Sequence, residues 1–307
     1  MISNLLEGDM SDLTPFLDEK DVTDVSVGDS GQVVVSRFGR PRQFTGMVLP
    51  DFVVERIIKA CSSVTGKPLD SYTGFPVLEA LLPKYKARMT GIMPPVSVRP
   101  ILEIRKRPEK IYSLEDYVSH GQMTKDQYDT LCRAIEDRKN ILVCGGTGSG
   151  KTTCTNAVIR KMCEFTPLDH FYVVEDTPEL QCTAEYRNML CVMKKDACRA
   201  VEESLRFTPD RIIFGEVRTG DVLTALLESW KTGHSGNVTT FHANSVKAAV
   251  MRMREMAEHA GGLDTVNHLS EVVQLVVHLR RTKDGIRMDE MQEITEETDK
   301  WIMSLAS

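Results

Sequence analysis

No stretch of the 307-residue sequence approaches the roughly 18 to 20 apolar residues that a membrane-spanning helix needs. The longest apolar run near the end, Val272–Leu279, is broken by Gln274 and His278 and suits a strand. Met1–Asp9 carries neither a basic segment nor an apolar core, so no secretory signal is expected. No CxxC occurs. The eight cysteines (Cys61, Cys132, Cys144, Cys154, Cys163, Cys182, Cys191 and Cys198) are scattered, without paired histidines at metal-ligand spacing. They are expected to be buried free thiols in a reducing compartment, the cytoplasm. Basic charge is short as well: the formal net charge is −6, which argues against a generally basic surface for coating nucleic acid. No stretch interleaves aromatic and basic residues for base stacking, and only Lys106, Arg107 and Lys110 form a basic cluster. Internal repeats and low-complexity tracts are absent.

What is present reads as a soluble globular protein, 41% hydrophobic and 27% charged, long enough for two ordinary domains. The first hundred residues predict a small α+β unit. Val22–Val27 and Gly31–Arg37 flank the turn Gly28-Asp29-Ser30-Gly31, a hairpin signal, with Phe38 to Pro41 closing the second strand. Asp51–Val64 carries Val53, Val54, Ile57, Ile58 and Cys61 on one helical stripe. Strands follow at Lys86–Met93 and Pro100–Arg105. The boundary is expected near Arg107, giving an α+β domain over 1–107 and an α/β domain over 108–307. Capping-box patterns at Ser113 and Thr124 open two helices, the second running to about Arg138. Strands and helices then alternate, the pattern of a mainly parallel sheet covered on both faces. Strands are predicted at Ile141–Cys144, Phe171–Val174, Met189–Met193, Arg211–Phe214 and Asn237–Phe241. Helices are predicted at Thr152–Cys163, Ala197–Phe207, Gly220–Lys231 and Ser245–His259. A terminal hairpin over Val272–Arg280 and Ile286–Ile294 turns at Asp284-Gly285.

Between the first strand and first helix of that alternation lies Gly145-Gly146-Thr147-Gly148-Ser149-Gly150-Lys151-Thr152, a complete GxxxxGK[ST], followed by Thr153. A loop that wraps its backbone N–H groups around a triphosphate needs unusual dihedrals and little side-chain bulk. The following helix points its positive end at the same phosphates. Lys151 adds a charge at the β- and γ-phosphates, and the Thr152 hydroxyl suits Mg2+. The motif predicts ATP binding and Mg2+-dependent hydrolysis, with Gly146 to Thr153 as the nucleotide-binding residues.

Such a loop needs an acidic strand end nearby to orient the attacking water. Ile212-Ile213-Phe214-Gly215-Glu216 supplies one, and Glu216 is the candidate. Glu175, Asp176 and Glu179 form a second acidic strand end, costly to cluster unless a cation or basic partner offsets it. Beside a Mg-ATP site, Glu175 and Asp176 become candidate metal residues, while Glu179 stays open. His234 and His242 flank one short strand eight residues apart, which does not suit a metal pair. His242, at a strand end, either contacts the γ-phosphate or is a buried, hydrogen-bonded core histidine.

GGTGSGKTT, VVEDTPELQC, RFTPDRIIFGEVRTGD and TGHSGNVTTFHANS, in that order, resemble the secretion ATPases of type II and type IV systems and of pilus motors. They look like that family's Walker A, Asp box, atypical Walker B and His box, spanning Gly145–Ser245, and are most similar to its conjugal-transfer branch. The resemblance implies a RecA-like motor domain, with Glu216 as catalytic glutamate and Glu175 and Asp176 in the Mg-ATP site. It also implies that His242 and His234 couple nucleotide state to motion. Around Arg88 to Pro95 and Leu102 to Lys106 the likeness is looser. There it implies that Arg105 and Arg88 reach the phosphates across a domain or subunit boundary. Arg187, Arg206 and Arg218 receive no role. Pro178 stands where related sequences often have Gly, and Thr295–Ser307 matches nothing assignable. A long N-terminal docking region is not expected, which favours the type IV branch. The resemblance further implies a homo-hexamer acting on inner-membrane components of a conjugation or secretion complex, soluble or peripheral on the cytoplasmic side. The alternative from another class is a motor that translocates nucleic acid, a helicase or packaging ATPase, which DNA would stimulate in a salt-dependent way. A third is a scaffold that binds nucleotide without hydrolysing it, against which Lys151 and Glu216 stand.

Overall fold

The computed structural model describes residues 8–37, 40–66, 69, 76–82, 84–85, 87–106, 111–261, 269–283 and 285–298. Phe38 and Gly39, the linker residues 107–110, the turn residue Asp284 and the tail from residue 299 onward lie outside the described residues. By internal contacts the chain divides into two compact units, Met1–Lys110 and Ile111–Ser307.

In the first unit a short helix α1 (Thr14–Asp18) precedes β1 (Val22–Val27), β2 (Gln32–Arg37) and β3 (Gln43–Val48). Helix α2 (Asp51–Thr65) and strands β4 (Val77–Leu82), β5 (Ala87–Ile92) and β6 (Ile101–Arg105) follow. The strands form one sheet in the order β3-β2-β1-β6-β5-β4, antiparallel at every pairing. The stripe predicted on α2 is the buried one: Val53, Val54, Ile57, Ile58 and Cys61 share a core with Val25, Val27, Met89 and Ile104. Strands β3 and β4 were not expected from the pattern. β3 is an edge strand whose Phe44 and Val48 remain exposed, so alternation marks no core face there. β4, Val-Leu-Glu-Ala-Leu-Leu, consists mostly of good helix formers and is a strand because β5 pairs along its whole length.

The second unit begins with α3 (Leu114–Ser119) and α4 (Lys125–Glu136). Both expected capping boxes form: Ser113 and Thr124 accept from the N–H groups of Asp116 and Gln127, whose side chains accept in return. Then come β7 (Ile141–Gly145), α5 (Lys151–Phe165), β8 (Phe171–Glu175), β9 (Arg187–Cys191) and α6 (Ala197–Ser204). The chain continues through β10 (Arg211–Val217), α7 (Gly220–Lys231), β11 (Val238–Phe241), α8 (Val246–His259), a short α9 (Leu269–Val272), β12 (Leu275–Thr282) and β13 (Gly285–Glu293). The sheet order is β13-β12-β7-β11-β10-β8-β9, and every pairing is parallel except β12 with β13.

Alternation along the strands divides the core between the two faces. Leu142 and Cys144 join Phe214, Phe241, Leu226, Trp230 and Met253 on one side. Ile141 and Val143 join Ile213, Val238, Leu131, Val158 and Met162 on the other. Because β7, β11, β10 and β8 run in the same direction, the segments that follow them gather along one edge of the sheet. That edge is where ligands bind in open α/β folds. Residues 272–274, expected in the last hairpin, instead close α9 and lead into β12.

Candidate active site

β7 runs straight into the glycine loop, and α5 starts at Lys151. Gly150 caps α5 with φ 85°, in the left-handed region, and a Cβ there would lie 2.7 Å from Cδ1 of Ile286. The left-handed backbone therefore demands glycine, and Ile286 packs closely beside it. Ile286 belongs to the β12–β13 hairpin, which backs the loop; Arg281 Nη1 comes within 3.4 Å of the point where a Cβ on Gly148 would stand. Sequence reasoning assigned neither residue, because only the placement of β12 beside β7 brings them there.

Lys151 is buried, and its Nζ donates to the carbonyls of Gly145 (3.1 Å) and Gly146 (3.0 Å). The same Nζ lies 3.3 Å from Nδ1 of His242 and 4.0 Å from Oε1 of Glu216. On the next helical residue, the Thr152 hydroxyl donates to Oε2 of Glu179 at 3.1 Å. Ser149 is buried within the loop, and Gly146 and Thr147 face an open cleft of about 870 Å³ that also takes in Arg218, His242, Asn244 and Arg252.

Glu216 lies where the register of β10 against β11 shifts, between Phe214 and Val217. Such an irregularity re-aims a side chain at a strand end. Its Oε1 is 3.0 Å from Nε2 of His242, and its Oε2 accepts from Nε of Arg218 at 2.6 Å. Arg218 also pairs with Asp176, so one guanidinium joins the ends of β10 and β8. The contacts determine the imidazole tautomer. A lysine ammonium only donates, so His242 Nδ1 accepts, and the proton sits on Nε2, where it is donated to Glu216. The His242 pKa is lowered, first by burial and then by the Lys151 charge, against the pull of Glu216. The neutral ring agrees with the tautomer.

Glu175 is buried, and its Oε2 accepts from the backbone N–H groups of Glu179 and Leu180, both at 2.8 Å. It thus folds the segment after β8 back toward α5, where Asn156 accepts from the N–H of Gln181 and donates to the carbonyl of Glu179. That fold carries the Glu179 carboxylate to Thr152. Glu175 also explains Gly215: a Cβ on Gly215 would sit 2.9 Å from Cβ of Glu175.

A family model described as type II/IV secretion system protein matches residues 78–301. The chain belongs to this family. It is 34% identical over 295 residues to the probable conjugal transfer protein TrbB of Sinorhizobium fredii (strain NBRC 101917 / NGR234), covering 96% of this chain and 90% of that protein. Among solved structures it is similar to the Legionella pneumophila ATPase DotB, with a TM-score of 0.67 and 17% identity over 96% of this chain and 83% of that one. It is similar also to the pilus retraction motor PilT with bound ADP, with a TM-score of 0.66 and 18% identity over 98% and 86% of the two chains. At these identities the structural likeness is one of fold, and that fold is the RecA-like α/β architecture expected.

Within this type II/IV secretion protein, then, Lys151, Thr152, Glu175, Asp176, Glu216 and His242 come together at one edge of the second unit's sheet. His234 does not join them. It precedes β11 at the other end of the strand, with its Nδ1 2.8 Å from the carbonyl oxygen of Pro209. Arg88 and Arg105 belong to the first unit, where they are direct cross-strand partners on β5 and β6. Arg88 pairs with Glu79 at 2.9 Å, and Arg105 Nε lies 4.0 Å from Asp24. Two like charges facing each other are unfavourable, so the flanking acids offset them. Of the arginines without an assigned role, Arg218 is part of the site. Arg206 pairs with Glu203, and Arg187 donates to the carbonyl of Ala184. All eight cysteines are free; Cys61, Cys144, Cys154 and Cys182 are buried as expected, whereas Cys132, Cys163 and Cys198 are half-buried and Cys191 is exposed. No helix among the described residues is long and apolar enough to cross a membrane.

Proposed function

We propose that this chain is a Mg2+-dependent ATPase of a type IV secretion or conjugal transfer system. In this reading it works as a homo-hexamer on inner-membrane components from the cytoplasmic side, driving pilus assembly or substrate transfer. The observation that carries the catalytic part is the continuous run from Lys151 through the His242 ring to the Glu216 carboxylate. It joins a phosphate-binding cation to a water-orienting carboxylate through a ring placed to accept from one and donate to the other.

Phosphate oxygens can take the Lys151 donors now directed at Gly145 and Gly146, and the start of α5 adds the equivalent of roughly half a positive charge. Glu216, held from one side by His242 Nε2–H and from the other by Arg218, is poised to orient water and accept its proton. The oxygen donors present fit Mg2+: the Thr152 hydroxyl and the Glu179 carboxylate would hold it, with Asp176 nearby on Arg218 and Glu175 bracing the segment. When bound, that ion would offset the charge on the transferring phosphoryl group. Arg88 and Arg105, side by side on one sheet face, are suited to grip a single anion together, the role proposed for them at a domain or subunit boundary. His234, at the opposite strand end, is proposed to relay motion rather than to touch phosphate.

Substitution of Glu216 by Gln tests this. Glu216→Gln keeps the shape but removes the base, and its amide oxygen can accept from only one of His242 and Arg218, so phosphate release should fall by about 10²-fold or more while ATP affinity stays near the wild-type value. Normal turnover in this variant would remove Glu216 from the mechanism.

A further inference from the structure

Two of the eight free thiols face each other. Cys163, in the last turn of α5, has its Sγ 3.9 Å from Sγ of Cys182, in the segment after β8. Cys182 is buried, whereas Cys163 is half-buried and opens onto a cleft of about 420 Å³ shared with Arg160, Glu164 and Thr183. A small reagent can thus reach one sulfur from solvent with the second waiting behind it. The two thiols are not equivalent. A hydrogen bond from Cys182 brings Cys163 down to about 6, with burial opposing and the Thr183 hydroxyl and backbone N–H groups of Thr183 and Ala184 assisting. Cys182 is pushed up by the same hydrogen bond and by burial. Burial pushes Cys144 and Cys154 up to about 12, so those thiols stay protonated. A half-buried thiolate that opens onto a cleft, beside a protonated partner, is the arrangement of an attacking and a resolving cysteine.

We propose that Cys163 and Cys182 form a thiol–disulfide exchange site that takes a low-molecular-weight disulfide, and that closing it restrains the segment carrying Glu179. The Cys163 thiolate attacks one sulfur of the small disulfide and expels a small thiolate, leaving a mixed disulfide on Cys163. Cys182 then loses its proton to that leaving thiolate or to water and attacks Cys163 Sγ, expelling the second small thiolate. One small disulfide is reduced to two thiols, and the protein pair is oxidised to one disulfide. A disulfide bond is about 2.0 Å long, so the sulfurs must approach by roughly 2 Å. That movement falls on a strap already tied to α5, through Gln181 N–H on Asn156 and Thr152 on Glu179. A strained strap displaces Glu179 from Thr152. In a reducing compartment such a bond is transient, as in sensing rather than structural pairs.

The test treats the full-length protein with oxidised glutathione at neutral pH, alkylates the remaining thiols and maps the peptides by mass spectrometry. A Cys163–Cys182 linkage is expected in the wild type. Cys182→Ser should stop with glutathione on Cys163, and Cys163→Ser should leave Cys182 unmodified. Separate alkylation of both residues in the wild type, or earlier modification of other cysteines, would overturn the site. The regulatory half rests on the ATPase reading and has its own readout: turnover several-fold lower after oxidation, restored by dithiothreitol and unaffected in Cys163→Ser. A mapped disulfide with unchanged turnover would overturn the restraint alone. Absence of turnover before oxidation would strike the ATPase reading and leave the mapped site standing.

Discussion

His242 illustrates how much chemistry one proton decides. With the proton on Nε2, the ring offers an acceptor to Lys151 and a donor to Glu216; protonated on both nitrogens, it would face the lysine ammonium with a second positive charge. Burial and Lys151 hold its pKa below the usual 6.5. The folded protein therefore takes up this proton at a lower pH than the unfolded chain. Just below pH 6.5 the unfolded chain binds more protons, and stability falls as pH falls. Above that pH both forms are neutral and the contribution is flat. His242→Gln should lack this component. The difference in Tm between wild type and variant should shrink on acidification through the window below 6.5; parallel pH profiles would dissociate the ring from its lysine neighbour. The positions of Glu216 and His242 at strand ends were legible from the strand pattern, and that of Lys151 from the glycine loop that opens α5. The contacts of Glu179 and Arg218, and the position of Arg281 beside the loop, were not. Each depends on which strand lies beside which, and the order β7-β11-β10-β8 is not written in any local stretch.

At the scale of elements, the long hydrophobic strands of the second unit and the capped helices were legible to within a few residues, because local signal and final packing agree. Edge strand β3 and helix-like β4 were not, since cross-strand pairing overrides their local preference. Gly215 shows the same dependence on neighbours. The sequence displays only a glycine, whereas the structure shows the Glu175 side chain of adjacent β8 occupying the space a Cβ there would need. Gly215→Ala should overpack this contact and cost about 1–3 kcal/mol in a denaturant titration, with reduced turnover as Glu175 and Glu216 shift. An unchanged midpoint would mean that β8 and β10 tolerate more separation at this edge than the close approach implies.

For the whole molecule, the proposal is a ring whose subunits exchange contacts as nucleotide turns over. In that proposal Arg88 and Arg105, direct cross-strand partners on β5 and β6, would exchange their acidic neighbours Glu79 and Asp24 for a phosphate. Closing on ATP and releasing after hydrolysis would convert chemistry into rigid-body motion. Molar mass in solution, measured with and without a non-hydrolysable ATP analogue, should report a hexamer that the analogue stabilises. A monomer in both conditions would contradict the ring. The most direct measurement is calorimetric titration of Mg-ATP into the wild-type protein and into Lys151→Ala. A saturable binding isotherm for the wild type and none for the variant is the expected result; no heat of binding in the wild type, or equal affinity in the two, would contradict the account at its root.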